Sequence, residues 1–408
     1  MIPYGRQEVT QADVDAVVEV LHSDWLTQGP VVPRFEKAVS DYLGAKHALA
    51  VNSATSALHI ACLALGVGPG DWVWTSPNTF VASANCALYC GAQVDFVDID
   101  PHTYNLSPER LEEKLRQASI LGRLPKVVIP VHFAGQPCDM PAIYALSQRY
   151  GFAIIEDASH AIGARYYYPA NEIQTDAARP ASSLQHVFPT RIGSCAHGHI
   201  TVLSFHPVKI ITTGEGGMAL TNDSRLAEKM SWFRTHGITN KSEFMQPRPA
   251  DEIWNYQQIE LGFNYRMTDI QAALGLSQFD RLEEFIQRRH DIAKRYYSSL
   301  SKSSFITPLQ RPETFSSYHL YPIRIRKAKC GKSQDQILKS LHSVGIAANI
   351  HYIPVYRHPF FEKLGFAIGY CPEAEAHFRE VVSLPMFSLL KDRDQDQVIH
   401  ALAEALRQ

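Results

Sequence analysis

Lys209 is the residue whose surroundings point most directly to chemistry. It follows the apolar run 201–205 and precedes the Thr/Gly-rich stretch 212–217. A lysine amine attacks a carbonyl only when it is unprotonated, so a catalytic lysine needs a pKa lowered by burial or by a neighbouring cation. A lysine at a strand end can also extend its charged end to solvent. This segment alone leaves both interpretations open.

Asp157 and His160 lie upstream of Lys209, where the apolar run 152–156 ends. A carboxylate at this position could cap a following helix. It could also face a ring nitrogen, as in pyridoxal phosphate (PLP) enzymes, where a carboxylate keeps the pyridine nitrogen protonated and the ring able to accept electrons. His160 is close enough along the chain to reach the same cofactor.

Two further segments could bind an anion. The run 52–56 places small hydroxyl residues at a predicted helix start, where free backbone N–H groups and the helix dipole favour phosphate. Simple helix capping is the alternative. The segment 261–269 brings Asn264 and Arg266 close together before a long helical pattern, and it is compatible with either anion binding or a capped loop.

Short β-rich runs alternate with helical stretches between about residues 45 and 220. The predicted strands are apolar on both faces, which is typical of a mostly parallel sheet covered by helices. They comprise residues 48–51, 72–75, 94–97, 126–131, 152–156 and 201–205. The pattern therefore predicts the α/β class, with ligands bound beyond the carboxyl ends of the strands.

The chain is predicted to contain two domains, a large one over residues 1–270 and a smaller one over 271–408. One long helical pattern from about residue 269 to 297 would connect them. The stretch 166–191 interrupts the α/β alternation with prolines and small polar residues. We expect an extended surface loop or hairpin there.

The composition excludes several classes of function. The 408 residues are 45% hydrophobic, and 39 basic against 41 acidic residues give a net charge of −2, which provides no general attraction for nucleic acid or anionic lipid. The seven cysteines lack the paired spacings of a zinc site or disulfide framework, so no metal is expected. Without a signal peptide or a membrane-spanning run, a cytoplasmic location is expected.

These segments, in this order, resemble the DegT/DnrJ/EryC1/StrS family of sugar aminotransferases, a branch of the fold-type I PLP enzymes. The resemblance covers essentially the whole chain. It rests on residues 26–29, 52–58, 130–135, 156–160, 204–217, 262–267 and 351–356. Within the family, the run 204–217 together with Tyr4 is most similar to the branch that acts in the pseudaminic acid pathway.

The resemblance implies a role for each cofactor-site residue. Lys209 would bond covalently to PLP and later carry a proton between substrate and cofactor, while Asp157 would pair with the ring nitrogen. The remaining implied contacts are His160 beside the ring hydroxyl, Phe80 over the ring face, Ala54, Thr55 and Ser204 at the phosphate, and Asn264 at the phosphate of the other subunit. A homodimer with shared active sites is therefore implied.

A nucleotide-sugar pocket is also implied. Its expected residues are Tyr4, Asp24, Trp25, Leu26, Thr27, Tyr318, His319, Leu320 and Tyr321, together with Ala54, Ser204 and Asn264 of the cofactor set. The insertion 166–191 is longer than the family's usual connection and could cover this pocket or decorate the surface, which is the interpretation we favour.

The implied reaction moves an amino group from L-glutamate to the C4 ketone of a UDP-linked 4-keto-6-deoxy-N-acetylhexosamine. A different 4-keto or 3-keto nucleotide sugar is the alternative acceptor. Dehydratases of the same fold have a histidine in place of the lysine, so Lys209 argues against C3 deoxygenation. A sensor that binds the nucleotide sugar without turnover is the remaining, non-enzymatic alternative.

Overall fold

The computed structural model of the protein describes residues 1–167, 189–247, 249, 255–301, 304–326 and 331–407. The strands of these segments are β1 Ile2–Pro3, β2 His47–Val51, β3 Trp72–Thr75, β4 Gln93–Phe96, β5 Val127–Ile129, β6 Ala153–Asp157, β7 Arg165–Tyr166, β8 Thr190–Arg191, β9 Ile200–Ser204, β10 Gly217–Thr221, β11 Ile238–Thr239, β12 Gln257–Gln258, β13 Phe305–Ile306, β14 Thr314–Phe315, β15 Tyr321–Ile325, β16 Ile346–Ala347 and β17 Val381–Leu384.

The helices of the same segments are α1 Gln11–Leu21, α2 Val31–Leu43, α3 Ala54–Ala64, α4 Ala82–Tyr89, α5 Pro108–Leu121, α6 Met140–Tyr150, α7 Ser224–Arg234, α8 Asp269–Phe279, α9 Leu282–Leu300, α10 Gln334–Ser343, α11 Pro359–Glu362, α12 Pro372–Glu380 and α13 Asp392–Arg407. Short 3₁₀ turns lie at Phe133–Gly135, Ser242–Phe244 and Val355–Arg357.

A seven-stranded sheet forms the centre of the fold, in the order β2-β10-β9-β6-β5-β3-β4. Strands β4, β3, β5, β6 and β9 pair in parallel, whereas β10 is antiparallel to both of its neighbours. The predicted α/β class and mostly parallel sheet are confirmed. Strand β10 is missing from the prediction because its first residue, Gly217, belongs to a glycine-rich run that has the composition of a turn.

The sheet is buried on both faces. Ile155 and Val202 pack in one hydrophobic cluster with α3 and α4. Their chain neighbours Ile154 and Leu203 point the other way, toward clusters that contain α5 and α6 or α2 and α8. Because apolar side chains fill both faces, polar groups that act together can gather only at the strand ends, and Asp157 and Ser204 lie at two adjacent ends.

The predicted single helix from residue 269 to 297 is wrong. The structure has two helices, α8 and α9, separated at Asp280 and Arg281. Arg281 turns toward the N-terminal segment, where its guanidinium contacts Glu8 at 3.2 Å and the buried Asp13 at 2.7 Å. The break was not predicted because hydrophobic periodicity carries no information about such long-range contacts.

A second, three-stranded sheet forms from β13, β15 and β17 in the C-terminal part of the chain. It shares a separate hydrophobic cluster with α9, α10 and α13, built on residues such as Ile292, Ile323 and Val398. The division into domains 1–270 and 271–408 stays a prediction.

The insertion predicted at residues 166–191 starts and ends in paired strands. Strand β7 pairs antiparallel with β8 and also with β14. Residues 168–188 lie outside the described residues, so the choice between a pocket cover and a surface decoration stays open. In the described part of the chain, no helix is both long and apolar enough to cross a membrane.

Candidate active site

Lys209 lies in a turn after β9, at the carboxyl end of the sheet. Its backbone N–H donates to the carbonyl of His206 at 2.8 Å, which closes the turn. Its side chain is half-buried, and desolvation lowers the pKa of the amine to about 8, although the charge of Asp157 acts in the opposite direction. An amine with this pKa has a much larger neutral fraction near pH 7 than an ordinary lysine.

Asp157 is buried at the end of β6, with 4% of its surface exposed. Its Oδ2 accepts a hydrogen bond from the Ser83 hydroxyl at 2.6 Å, and its Oδ1 accepts one from the Ser159 N–H at 3.1 Å. The Ser83 hydroxyl lies 2.8 Å from that of Thr79, which can donate to it in turn. Three hydroxyl and amide groups thus fix the orientation of this carboxylate.

No helix follows Asp157 within the described residues 158–164, so the helix-cap alternative for this carboxylate is wrong. The chain instead forms turns until β7 begins at Arg165. The bond from the Ser159 N–H to the Asp157 side chain closes a local turn that competes with helix formation.

His160 is buried and has a partner at each ring nitrogen. Nδ1 accepts from the Ala134 N–H at 3.3 Å, so the proton of the neutral ring lies on Nε2, which is 3.2 Å from the Tyr352 hydroxyl. Burial lowers the pKa of His160 well below its usual range, and the charge of Lys209 lowers it further. The predicted contact between His160 and the cofactor's ring hydroxyl stays a prediction.

Two further buried histidines lie close to the same lysine. The ring of His319 contacts that of His160 at 4.4 Å between centroids. Burial lowers the pKa of His351 to about 3 and that of His319 well below its usual range, and in both cases the charge of Lys209 contributes. Three imidazoles that burial keeps neutral therefore lie within electrostatic range of Lys209.

Arg289 holds the segment that carries His319. Its guanidinium is buried and donates to the backbone carbonyls of Tyr318, His319 and Met386 at 3.1 to 3.2 Å. Burial lowers the pKa of Arg289 to about 10. All three bonds start at Nη1, so this arginine has a structural role in positioning the segment of His319.

The start of α3 provides a candidate phosphate site. Ser53 caps the helix by accepting the Ser56 N–H at 3.1 Å, while Ala54 and Thr55 occupy the first turn, where backbone amides have no intrahelical acceptor. A Cβ on Gly217 would lie 2.5 Å from the Ala54 nitrogen, so only glycine lets β10 approach this helix end. The predicted helix start at the hydroxyl-rich run is confirmed.

Two other cofactor-site candidates, Ser204 and Asn264, lie around this helix end. Ser204 is buried at the end of β9, and Asn52 donates to the backbone carbonyl of Asn264 at 3.5 Å. The side chain of Asn264 is exposed, and Phe80 before α4 is 61% exposed. The exposed fraction of both side chains leaves them free to contact a ligand or a second subunit, and their predicted roles stay predictions.

The predicted sugar-pocket residues are only partly brought together. The Tyr4 ring lies 5.3 Å from that of His351, and so this N-terminal tyrosine reaches the histidines near Lys209. The segment Asp24 to Thr27 is exposed beside the start of α8, where the Thr27 carbonyl accepts the Asp269 N–H at 3.0 Å.

The run from Tyr318 to Tyr321 faces several environments. His319 contacts His160, whereas Leu320 packs in the hydrophobic cluster of the central sheet. Tyr321 packs against Tyr296 in the cluster of the three-stranded sheet, and burial raises its pKa. The structure therefore places His319 near the candidate site and Tyr321 in a core.

Sequence reasoning gave no role to Ser83, Tyr352 or His351. Ser83 donates a hydrogen bond to Asp157, and Tyr352 contacts His160. His351 lies within electrostatic range of Lys209. Ser83 belongs to no recognisable motif, because the sequence of a helix made of small residues does not distinguish a functional serine from a structural one. The other two belong to the run 351–356, which suggested the family but not an individual role.

The arrangement fits a phosphorylated aldehyde cofactor with a ring nitrogen. A partly neutral lysine could bond to an aldehyde, a fixed carboxylate could hold a protonated ring nitrogen, and helix α3 could receive a phosphate at its first turn. A metal centre has no comparable support, since no group of three or more His, Cys, Asp or Glu residues among those described could hold a metal ion.

Sequence comparison supports this chemistry. The sequence model of the DegT/DnrJ/EryC1/StrS aminotransferase family matches residues 7–403. The spore coat polysaccharide biosynthesis protein SpsC of Bacillus subtilis is 36% identical over all of this chain and 97% of its own length. A UDP-4-amino-4,6-dideoxy-N-acetyl-beta-L-altrosamine transaminase of Campylobacter jejuni is 34% identical over 97% of this chain and 94% of its own.

Two solved structures share the fold of this chain over its full length. Helicobacter pylori PseC, an aminotransferase of pseudaminic acid biosynthesis, superposes with a TM-score of 0.84 at 30% identity, over 100% of this chain and 99% of its own. A candidate sugar aminotransferase of Streptococcus pneumoniae, solved in its PLP form, also has a TM-score of 0.84, at 28% identity over 100% of this chain and 98% of its own.

Proposed function

Because the chain belongs to the DegT/DnrJ/EryC1/StrS aminotransferase family, we propose that it transfers an amino group from L-glutamate to C4 of a UDP-linked 4-keto-6-deoxy-N-acetylhexosamine. It is a PLP-dependent sugar aminotransferase. The product would be the 4-amino-4,6-dideoxy-N-acetyl-altrosamine sugar named for the Campylobacter relative, a precursor in pseudaminic acid biosynthesis.

The observation that carries this proposal is the position of Lys209, in the turn after β9, next to the strand β6 that ends in the Asp157 carboxylate held by Ser83. The lowered pKa of Lys209, about 8, agrees with this arrangement. When bound, PLP supplies the electron sink that lets a carbon next to nitrogen lose a proton. Lys209 provides the amine that binds the cofactor's aldehyde and then moves a proton at the substrate carbon. Asp157 places a negative charge for the ring nitrogen, and Ser83 keeps that charge oriented.

One lysine serves both halves of the reaction. Glutamate would deliver its amine first and leave as 2-oxoglutarate, after which the keto sugar would enter the same pocket. His160, His319 and His351 are neutral and add no positive charge around Lys209. Such a charge would lower the pKa of the Lys209 amine further. Without it, the amine can both accept and return a proton.

The phosphate of the cofactor would bind at the first turn of α3, through Ala54 and Thr55 with Ser204 nearby. The exposed side chain of Asn264 supports a contact from a second subunit, and a homodimer is part of the proposal. Tyr4, Asp24 to Thr27, Tyr318 and His319 would contact the nucleotide sugar, with Tyr4 and His319 the best supported by their positions. Leu320 and Tyr321 are left out of this proposed pocket because their side chains are buried in hydrophobic clusters.

A coupled assay tests the proposed acceptor. The purified protein would be incubated with PLP, L-glutamate and each of the two C5-epimeric UDP-linked 4-keto sugars, and 2-oxoglutarate and the amino sugar would be quantified. We expect both products in equal amounts with one epimer. Turnover of neither epimer, together with turnover of a 3-keto nucleotide sugar, would support the alternative acceptor and contradict the proposed one.

A further inference from the structure

The ring of His160 has both of its nitrogens in contact with groups of the protein. Nδ1 accepts from the Ala134 N–H at 3.3 Å, and Nε2 lies 3.2 Å from the Tyr352 hydroxyl. A neutral imidazole carries one proton, and a backbone N–H can only donate, so the His160 proton lies on Nε2. Burial keeps the ring neutral by lowering its pKa well below the usual range. The Nε2 contact is therefore a donation from His160 to the Tyr352 oxygen.

Both sides of the contact between Ala134 and His160 are held by further hydrogen bonds. The Phe133 N–H, one residue before Ala134, donates to Oδ1 of the buried Asn105 at 2.9 Å. The Ser317 hydroxyl donates to the backbone carbonyl of His160 at 3.0 Å. The backbone of this 3₁₀ turn therefore sets the tautomer of His160 before any ligand binds.

Tyr352 is also fixed in place, by its backbone and by its ring. Its N–H donates to Oδ1 of Asn78 at 3.2 Å, and the amide nitrogen of Asn78 donates to the Tyr104 carbonyl at 3.2 Å. Its ring stacks on that of His160, with 6.1 Å between centroids and 19° between planes, and meets Phe133 edge-on at 6.2 Å. The position of the hydroxyl is therefore determined without a ligand.

The phenolic proton of Tyr352 is left without an acceptor in the protein. The oxygen accepts from His160, so its own proton points elsewhere, and among the residues that the structure describes this hydroxyl has no second hydrogen bond. Tyr352 is half-buried, which leaves part of it accessible. Burial, with smaller contributions from Tyr4 and Asp157, raises the pKa of Tyr352, so the hydroxyl stays protonated and can donate.

We propose that Tyr352, and not His160, donates a hydrogen bond to a bound ligand, and that the acceptor is an oxygen of the cofactor ring or of the keto sugar. His160 is then a positioning residue, because its Nε2–H holds the phenolic oxygen and directs the phenolic proton away from the imidazole. The resemblance gives the contact with the cofactor's ring hydroxyl to His160, yet both nitrogens of that ring are used inside the protein. This inference rests on the proposed function, which supplies the ligand.

The tautomer of His160 can be measured without substrate. The full-length protein would be labelled with ¹⁵N in its histidine rings, and the His160 signals would be identified by their loss in His160→Gln. We expect a protonated Nε2 and an unprotonated Nδ1 in the parent and also in Tyr352→Phe, because the Ala134 N–H remains in both. A proton on Nδ1 in the parent would overturn the proposal, since Tyr352 would then donate to the imidazole.

Tyr352→Phe tests the donor, because it removes the hydroxyl and keeps the ring. If the acceptor is an oxygen of the cofactor, the Kd of pyridoxamine phosphate, followed by its fluorescence, should rise roughly 3- to 100-fold, as expected for losing a hydrogen bond to a neutral or charged acceptor. If the acceptor is an oxygen of the sugar, that Kd should stay constant and the KM for the keto sugar should rise by a similar factor. Parent values for both constants would overturn the proposal.

Tyr296→Phe is the matched control. The Tyr296 hydroxyl donates to the Pro385 carbonyl at 3.1 Å within the cluster of the three-stranded sheet, so its loss should leave both constants at their parent values. Failure of the proposed function gives a different result, since the parent would then turn over none of the keto sugars. Tyr352 would in that case be judged by the His160 tautomer and the Kd of pyridoxamine phosphate, and an unchanged Kd in Tyr352→Phe would overturn its role.

Discussion

The hydroxyl of Ser83 donates to Oδ2 of Asp157 over 2.6 Å, and both residues are buried. This bond joins the start of α4 to the end of β6, two elements far apart in the sequence. Because Oδ1 is occupied by the Ser159 N–H, both oxygens of the carboxylate are fixed by the protein itself. Asp157 is therefore preorganised for a ligand rather than dependent on one for its orientation.

Ser83→Ala tests whether this bond matters for catalysis. A hydrogen bond to a charged group contributes about 1.5–3 kcal/mol, so we expect kcat to fall roughly 10- to 100-fold as the carboxylate loses its orientation. Ser83→Thr retains the hydroxyl and is the control, with activity close to that of the parent. Steady-state kinetics would decide, and an unchanged kcat in Ser83→Ala would contradict the positioning role.

Asp157→Asn removes the charge but preserves the volume of the side chain. A nearby carboxylate shifts the pKa of a cation by about 1–3 units, so losing it should cost roughly 10- to 1000-fold in kcat through weaker protonation of the ring nitrogen. The thermal midpoint should change little by comparison. A large loss of stability with nearly normal kcat would show that Asp157 is structural.

Lys209→Ala should lower turnover by at least about 10²–10⁴-fold, because the group that carries the proton is gone. Pyridoxamine phosphate should still bind, since Asp157 and the start of α3 are intact; its fluorescence on titration would measure this. Lys37→Ala, which removes an exposed lysine paired with Asp41, is the control and should leave turnover unchanged. Full activity in Lys209→Ala would refute the assignment.

The pKa of Lys209 predicts how cofactor loading depends on pH. Burial lowers this pKa to about 8, so the amine carries a proton below that pH and is neutral above it. The rate at which the apoprotein combines with PLP should therefore rise with pH and level off above about 8. Stopped-flow absorbance would measure it. A rate that still rises toward pH 10 would indicate an ordinary, solvated lysine.

The strands and the chemistry at their ends could be predicted, because both depend on local patterns. Asp157 and Lys209 each follow an apolar run, and Ser53 caps a helix at the predicted place. The break between α8 and α9 could not be predicted; it lies at Arg281, which pairs with the distant Glu8 and Asp13. Contacts between distant segments leave no periodic signal.

The supporting residues were missed for the same reason. Ser83 and Tyr352 become recognisable only when folding brings them to Asp157 and His160. Strand β10 shows a related limit. Gly217 belongs to a run of turn-like composition, yet it starts a central strand. Glycine is needed at this strand position because a side chain would collide with the Ala54 nitrogen.

The identity of the lysine that binds the cofactor tests the account most directly. The protein would be incubated with PLP, reduced with borohydride to make the bond permanent, digested and mapped by mass spectrometry. We predict one pyridoxyl group per chain, on the peptide that contains Lys209, with the label lost in Lys209→Ala. A label on a different lysine, retained in that variant, would contradict the central claim.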